Sequence, residues 1–343
     1  MYKIVVDSFG ADKGIEVIVK GAVDALDIEK DFTIVITGDC DALNLELAKY
    51  EYDKKRIIVE DAKEQITNNE SPTVAIRTKK NSSLVRALEI TKNDESVAGM
   101  VSAGSTGAVL AGGIFKVGRI KGVLRPALCP LLPTMTGGKV CVCDTGANVD
   151  CKPEYLAQFA ILASNFMKFV CGIENPRVAL LSVGVEDKKG NELTHAAFEI
   201  MKNLPINFVG NMEARDALTG DYDVIVCDGF DGNILVKSIE GTAKMILKML
   251  KKEIMASTKA KIGALFMKGA INGLKSSMDY QAVGGAAFLG VEKMIVKSHG
   301  SSNAKAITAS IAQIVNAHKL GLIDAIKQSS DALLKAKSVE VAE

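Results

Sequence analysis

The sequence contains no tryptophan, few prolines and almost no net charge. Its 42 Lys and Arg residues offset 41 Asp and Glu residues, so it lacks the overall basic field that nucleic-acid-binding proteins usually carry. Its seven cysteines form no C-x-x-C pair, which argues against a disulfide framework and against a zinc ribbon. We therefore expect an intracellular protein with reduced thiols, no metal and no nucleic-acid partner.

The sequence also predicts neither a membrane span nor a signal segment. Residues 155–173 form a long, mostly apolar run, but polar side chains fall on one stripe of the predicted helix: Glu154, Gln158, Asn165 and Lys168. Pro153 suits the first turn of such a helix. The pattern predicts a packed helix rather than a span. The chain opens on a strand-like run at residues 3–6, with no basic-then-apolar signal segment.

Short β-rich segments alternate with amphipathic helical segments along the chain. Eight segments are typical of strands: residues 3–6, 33–37, 57–59, 97–102, 140–144, 178–183, 224–227 and 294–297. The alternation predicts an α/β protein with a mostly parallel sheet covered by helices on both faces. Because no Pro/Ser-rich linker divides the chain, we predict one bilobed catalytic domain over residues 1–335. A helical projection is expected near residues 240–280, and a polar tail at 336–343.

A turn rich in glycine and hydroxyl groups follows the fourth predicted strand. It contains Ser102, Gly104, Ser105, Thr106 and Gly107, and a helix-like segment comes next. Its glycines allow a tight turn that aims backbone N–H groups at an anion, and its hydroxyls add donors. The pattern fits either a phosphate-binding turn or a capped strand–helix connection. It matches neither Walker A nor G-x-G-x-x-G, which disfavours NTPase and dinucleotide chemistry.

Two further turns carry carboxylates and amides at strand ends. Residues 143–148 offer Asp144 and Asn148, and residues 227–233 offer Asp228, Asp231 and Asn233. Such side chains either orient a donor toward a carbonyl or phosphate, or only close turns on their own backbone. No further ligands follow at a recognisable spacing, which disfavours a metal site. We expect Asp231 or Asn233 to cap the helix that follows.

One lysine and one histidine lie where a crevice is expected. Lys189 belongs to a charged loop after a predicted strand, where a lysine either meets an anion or faces solvent. His299 follows the last predicted strand, whereas His195 and His318 lie on predicted helices, so we expect His299 to be the functional histidine.

No G-x-S-x-G motif and no paired cysteine and histidine support a nucleophilic triad. The motifs instead predict a site that holds an anion against a carbonyl. Its candidate catalytic residues are Lys189, His299, Asn233 and Asp228. We predict that one crevice contains Lys189, His299, Ser105, Asn148 and Asn233.

Residues 251–275 differ in composition from the rest of the chain, with six lysines and the single acid Glu253. Five apolar residues cluster on one side: Ile254, Met255, Ile262, Leu265 and Phe266. Three glycines make the segment a poor isolated helix. We predict a projecting helix pair that either contacts an anionic membrane transiently or forms a dimer core, and the sequence leaves both alternatives open.

Taken in order, these motifs resemble those of the bacterial phosphate acyltransferase (PlsX) family. The matching segments cover nearly the whole chain: residues 6–7, 102–107, 118–127, 132–134, 144–148, 189–191, 228–233, 284–286 and 299–302. One departure lies near the start. Family members usually have Met-Gly-Gly-Asp followed by a proline, whereas this chain has Phe9-Gly10-Ala11-Asp12 and no nearby proline.

The resemblance implies a three-layer α/β/α fold of the isopropylmalate-dehydrogenase or phosphotransacetylase type, in a homodimer without a cofactor. It implies that inorganic phosphate attacks a long-chain acyl thioester on acyl carrier protein, giving acyl phosphate for phospholipid synthesis. A cytoplasmic enzyme, with or without peripheral membrane contact, is expected. The substrate- and phosphate-binding residues it implies are Ser102, Gly104, Ser105, Thr106, Gly107, Arg125, Asp144, Asn148, Ser301 and Ser302.

Three alternatives stay open at this stage. A phosphotransacetylase-like enzyme would act on a coenzyme A thioester, and a dehydrogenase on the same scaffold would transfer hydride. A protein of a different class would bind acyl chains or dock on membranes without catalysis. Phosphate-dependent release of a thiol separates acyl transfer from the other two.

Overall fold

The computed structural model of the protein describes residues 1–277, 283–329 and 332–334. Its strands are β1 (Tyr2–Asp7), β2 (Phe32–Gly38), β3 (Ile57–Asp61), β4 (Val97–Ser102), β5 (Ala127–Cys129), β6 (Leu131–Pro133), β7 (Lys139–Cys143), β8 (Val178–Ser182), β9 (Phe208–Glu213), β10 (Val224–Val226), β11 (Ala286–Leu289) and β12 (Met294–Lys297). Its helices are α1 (Ile15–Ala25), α2 (Cys40–Leu47), α3 (Pro72–Thr78), α4 (Ser83–Asn93), α5 (Thr106–Gly112), α6 (Pro153–Cys171), α7 (Glu192–Met201), α8 (Gly229–Ala256), α9 (Thr258–Phe266), α10 (Lys268–Ser277), α11 (Ala304–Leu320) and α12 (Leu322–Gln328). All eight predicted strands are present.

The strands form two sheets. The first has the order β3-β2-β1-β4-β12-β11-β5, and the second has the order β6-β7-β10-β8-β9. Pairing is parallel except where β11 meets β12 and β5, and where β6 meets β7. The predicted α/β class with mostly parallel sheets is therefore confirmed. In the first sheet the strand order reverses between β1 and β4, so the connections that leave these two strands diverge from a shared crevice.

Helices cover both faces of the first sheet. Ile4 and Val6 of β1 point into a core cluster that also contains residues of α1 and α11, whereas Val5 belongs to a cluster formed with α4 and α5. Alternate residues of one strand thus enter opposite cores, as the two-residue period of a strand requires. This explains why β2 is buried along its whole length and shows no polar face.

Helix α6 is the packed helix that the sequence predicts over residues 155–173. It begins at Pro153 and ends before Gly172, which adopts a left-handed conformation with φ +74°. Its polar Gln158 is fully buried because its amide bonds to the main chain of Gly122, Leu124 and Leu333. None of the helices in the described residues combines the length and the apolar composition that a membrane-spanning segment requires.

Helix α8 begins earlier than the sequence predicts. Its N-cap is Asp228, whose carboxylate accepts a 2.8 Å hydrogen bond from the backbone N–H of Asp231, so the expected caps Asp231 and Asn233 lie inside the helix. The earlier start depends on a close approach at Gly232, where a Cβ atom would lie 1.9 Å from the carbonyl oxygen of Asp144. The prediction was wrong because a contact distant in sequence fixes the first turn.

The lysine-rich segment comprises the end of α8 together with α9 and α10. In α8 only Gly229, Gly232 and Leu235 are buried, and α9 contains no buried residue. Large apolar side chains of the segment are exposed, with Leu265 at 71% and Phe266 at 86%. Residues 278–282 and the predicted tail at 336–343 lie outside the described residues.

Candidate active site

A cavity of about 370 Å³ opens where the carboxyl ends of β4 and β12 meet the first turns of α8. Six apolar side chains line it: Leu128, Leu131, Leu132, Val149, Phe230 and Val236. Its polar lining comprises Thr106, Asn233, Lys237, Glu240, Lys297, His299 and Ser302. Such a cavity can hold an apolar chain with its polar head among a few oriented donors.

Lys297 is the residue that the sequence motifs missed. Its side chain ends β12 and is only 8% exposed, yet it lines the cavity. Its ammonium donates to the carbonyl oxygen of Ala103 at 3.4 Å and to that of Ser298. Burial lowers the pKa of Lys297 to about 8, although the charges of Asp7 and Asp12 favour its protonated form. A lysine at the last position of an otherwise apolar, buried strand was the available signal.

Asp7 and Ser102 hydrogen-bond to each other and to backbone N–H groups at the glycine-rich turn and at the end of β1. The buried carboxylate of Asp7 accepts hydrogen bonds from the hydroxyl of Ser102 at 2.7 Å and from the backbone N–H of Phe9 at 3.2 Å. The Ser102 oxygen in turn accepts from the backbone N–H of Gly104 at 3.1 Å. Burial raises the pKa of Asp7, whereas these hydrogen bonds and the charge of Lys297 act to lower it. The predicted phosphate ligand Ser102 therefore has its hydroxyl directed to Asp7.

His299 has a defined hydrogen-bond arrangement. Its Nδ1 accepts a hydrogen bond from the backbone N–H of Ser301 at 3.1 Å and lies 2.8 Å from the Ser301 hydroxyl oxygen. Burial lowers the pKa of His299, only partly opposed by the charge of Glu240, so the ring is neutral at pH 7. Because Nδ1 accepts an N–H, these hydrogen bonds assign the ring proton to Nε2.

Asp144 and Asn148 bond to each other and to the main chain. The fully buried Asp144 carboxylate accepts backbone N–H bonds from Leu128 at 2.7 Å, Thr145 at 2.8 Å and Asn148 at 2.6 Å. The Asn148 amide donates to the carbonyl oxygen of Pro126 at 2.9 Å and to Asp144 at 3.1 Å. Burial raises the pKa of Asp144 despite these donors. Both side chains hold the turn whose Thr145 and Gly146 line the cavity.

The remaining predicted residues lie at different places. Thr106, Asn233 and Ser302 line the cavity, and Ser301 holds the His299 ring. Asp228 caps α8, as described above.

Four other predicted residues lie away from the cavity lining. Arg125 stacks over the ring of Tyr155 at 5.8 Å, and Gly107 lies against Pro72. Gly104 and Ser105 face a second cavity on the other side of their turn.

Of the five residues predicted to share a crevice, Asn233 and His299 line the main cavity. Ser105 faces the second cavity and Asn148 is bonded to Asp144. Lys189 lies on the exposed loop between β8 and α7, where its main-chain carbonyl accepts from the Ser182 hydroxyl at 3.1 Å. Within the described part of the chain, no group of three or more His, Cys, Asp or Glu residues is arranged to hold a metal ion.

The fold defines a protein of the phosphotransacetylase-like structural class. A phosphotransacetylase from Streptococcus pyogenes superposes with a TM-score of 0.61 at 17% identity, covering 93% of this chain and 94% of that one. The EutD phosphotransacetylase from Staphylococcus aureus gives a TM-score of 0.58 at 17% identity, covering 92% and 93%. The phosphotransacetylase-like fold that the resemblance implied is thus confirmed.

Sequence similarity identifies the family. The family described as "Fatty acid synthesis protein" matches residues 2–324. A phosphate acyltransferase of Clostridium novyi is 48% identical over 325 residues, covering 95% of this chain and 97% of that protein. Another, from Clostridium acetobutylicum, is 45% identical over 330 residues, covering 96% and 99%. The chain belongs to the phosphate acyltransferase family, as the motifs indicated.

Proposed function

We propose that this enzyme transfers a long-chain acyl group from acyl carrier protein to inorganic phosphate, giving acyl phosphate and free carrier protein for phospholipid synthesis. The observation that supports this most is the cavity at the strand ends, whose lining combines apolar side chains with Lys297, His299 and Asn233. Family membership supplies the reaction class.

In this proposal the acyl chain lies against the apolar side chains of Leu131, Leu132, Phe230 and Val236. Each methylene of the chain that leaves water contributes about 0.8 kcal/mol to binding. The thioester carbonyl then lies among the polar side chains of the cavity.

Phosphate is held beside the thioester by the Lys297 ammonium and the Thr106 hydroxyl. Fixing the two reactants next to each other converts a bimolecular attack into a positioned one. A phosphate oxygen forms the new bond to the carbonyl carbon, and the carbon–sulfur bond then breaks. The thiolate leaves with the electron pair and needs no obligatory proton from the protein.

The tetrahedral intermediate carries a negative oxygen that needs donors in place before the reaction starts. In this proposal the Nε2–H of His299 and the side-chain amide of Asn233 donate to that oxygen. Its lowered pKa keeps His299 from being a cation, and because Nδ1 accepts the Ser301 N–H, the proton-bearing Nε2 acts as the donor. Lys189, Asp228 and Arg125 remain predicted site residues whose side chains lie outside the cavity lining.

The test is phosphate-dependent thiol release from acyl carrier protein thioesters of graded chain length. We expect release to require phosphate and to increase with chain length. Lys297→Met should abolish most of it, whereas Lys305→Met, at an exposed position of α11, should not. Release from acyl-coenzyme A alone would favour the alternative donor. Acyl-chain binding without any release would show a non-catalytic protein and contradict the proposal.

We further propose that the enzyme works as a cytoplasmic homodimer that contacts the membrane surface transiently through residues 251–275. The exposed apolar side chains of α9 and the surrounding lysines support such a contact with anionic lipid. Sedimentation velocity measures the dimer and liposome co-sedimentation measures the membrane contact. The two readouts are independent, so each part of the proposal can fail separately.

A further inference from the structure

The buried carboxylate of Asp7 is an ionisable group that the proposed mechanism does not use. Asp7 is the last residue of β1 and is only 1% exposed. It pairs in register with Ser102, the last residue of β4, and Ser102 pairs in turn with Lys297, the last residue of β12. Three neighbouring strands of the first sheet therefore end side by side in an acid, a hydroxyl and a lysine.

These three side chains leave the sheet on the same face. The residues two positions earlier in the three strands are Val5, Met100 and Ile295, and all of them belong to the core cluster formed with α4 and α5. The two-residue period of a strand directs the last residues to that side as well. Because neighbouring strands lie about 4.8 Å apart, the backbones of Asp7 and Lys297 are roughly 10 Å apart, with Ser102 between them.

Asp7 also fixes the turn that holds the lysine. The Ser102 hydroxyl donates to the Asp7 carboxylate at 2.7 Å, and the same hydroxyl oxygen accepts from the backbone N–H of Gly104 at 3.1 Å. Between Ser102 and Gly104 lies Ala103, whose carbonyl oxygen accepts from the Lys297 ammonium at 3.4 Å. The acid and the lysine are thus bonded to the same three residues of one turn.

The charge of the Lys297 ammonium is supported from the β1 side. Burial disfavours the charged form of Lys297, whereas the carboxylates of Asp7 and Asp12 favour it, Asp7 more strongly than Asp12. Among the described residues, the other ionisable groups that line the cavity beside the lysine are Lys237, Glu240 and His299. Asp7 itself is not part of that lining, so it can support the cation without repelling an anion bound in the cavity.

We propose that Asp7 is a positioning residue for phosphate binding: its carboxylate is the counter-charge of the Lys297 ammonium and, through Ser102, holds the turn to which that ammonium bonds. Asp12 adds a second, weaker counter-charge from the loop after β1. The proposal rests on the proposed function and adds to it a residue that does not touch substrate. Phosphate meets a buried cation whose proton is retained by an acid behind it.

The first test measures the protonation of Lys297 directly, by carbon NMR of labelled lysine Cε atoms during a pH titration, with Lys297→Met assigning the signal. Asp7→Asn keeps an oxygen acceptor for the Ser102 hydroxyl but removes the charge. The pKa of Lys297 should therefore fall, with its proton affinity reduced roughly tenfold or more. Asp12→Asn should reduce it less. Asp27→Asn, at an exposed position just beyond α1, should leave it unchanged.

The second test follows the KM for phosphate in thiol release as the pH rises. In Asp7→Asn the rise in KM should begin at lower pH than in wild type, because the lysine loses its proton earlier. A purely structural role would change KM or kcat by the same factor at every pH. Asp27→Asn should reproduce the wild-type profile.

An unchanged pKa of Lys297 in Asp7→Asn overturns the proposal, as does a KM that rises at the same pH as in wild type. If wild type releases no thiol in any assay, the proposed function fails, while the NMR titration still decides whether Asp7 is the counter-charge. Because Asp12 is exposed, its variant tests the counter-charge even if Asp7→Asn does not fold, and an unchanged lysine pKa there also contradicts the proposal.

Discussion

At the scale of single residues, the most important feature of the site is that Lys297 is almost completely buried. Lys297 ends an apolar strand, and its ammonium is held by two main-chain carbonyls next to the buried Asp7. The motif search identified the His299 turn two residues later but not this lysine, because a strand residue belongs to no loop motif. Motifs identify the residues of turns well. They do not identify a side chain such as Lys297, whose role depends on being buried, because burial follows from packing that the sequence does not show.

The lowered pKa of Lys297 gives a prediction on pH. Lys297 loses its charge above about pH 8, so the KM for phosphate should rise above that pH in wild type. Lys297→Arg keeps its charge and should move this rise to higher pH, while Lys297→Met should lower kcat/KM about 10²-fold at pH 7. Initial rates over a pH series measure both effects. A pH profile of Lys297→Arg identical to that of wild type would contradict the assignment.

The same shift predicts how stability depends on pH. The folded-state pKa of about 8 lies below the ordinary 10.5, so the unfolded chain binds more protons between these values. The free energy of unfolding should therefore rise with pH across this window, by roughly 3 kcal/mol from this residue. Lys297→Met should lose that rise in urea titrations at pH 7.5 and about 10. Identical pH dependence in wild type and variant would count against a buried ammonium.

Lys189 remains a predicted catalytic residue, and it can be tested against its neighbour. If it stabilises developing charge, Lys189→Ala should reduce kcat about 10²-fold without changing the melting temperature. Lys188→Ala, next to it on the same exposed loop, serves as the control. If both variants are as active as wild type, Lys189 does not stabilise developing charge, and Lys297 is left as the lysine with that role at the site.

At the scale of elements, eight of the twelve strands among the described residues were predicted, and β5, β6, β9 and β11 were missed. Of the missed strands, β5 and β6 have only three residues each and are separated by Pro130 alone. Strands of that length form because a neighbour supplies their hydrogen bonds, as β11 does for β5. The first turn of α8 likewise depends on a neighbouring segment, because its contact with the Asp144 turn determines where the helix begins.

Two glycines of α8 give a matched test of that contact. Gly232→Ala would place a Cβ atom 1.9 Å from the Asp144 carbonyl oxygen, so it should lower the free energy of unfolding by about 2–4 kcal/mol. At Gly241, no atom lies within 4 Å of the added Cβ, so Gly241→Ala should stabilise the helix by up to about 1 kcal/mol. Urea unfolding of both variants measures the difference. Similar values for the two would show that α8 does not pack closely on the turn.

At the scale of the whole molecule, the two sheets meet in one core. The main cluster joins residues of β1 and β2 with residues of α6, β8 and β10, so the apolar layers of both sheets are continuous. The main cavity opens at the edge of this core, where strands of both sheets end near the start of α8. The sequence predicted the fold class from its alternation, and the ordered motifs indicated the family. The sequence could not show which motif residues line the same cavity, because that depends on how the two sheets pack together.

The last prediction concerns the exposed surface of α9. Leu265 and Phe266 are 71% and 86% exposed, and lysines flank them, which suits insertion into an anionic membrane surface and equally suits a dimer contact. Replacing both by Glu should abolish co-sedimentation with anionic liposomes, because two new charges repel the headgroups and would enter the interface. A Lys259→Gln variant should weaken this binding only slightly, by the roughly 1 kcal/mol that one lysine contributes near such a surface. If the Leu265→Glu, Phe266→Glu protein still binds anionic liposomes while its dimer dissociates in sedimentation velocity, the segment is a subunit interface and the membrane contact is wrong.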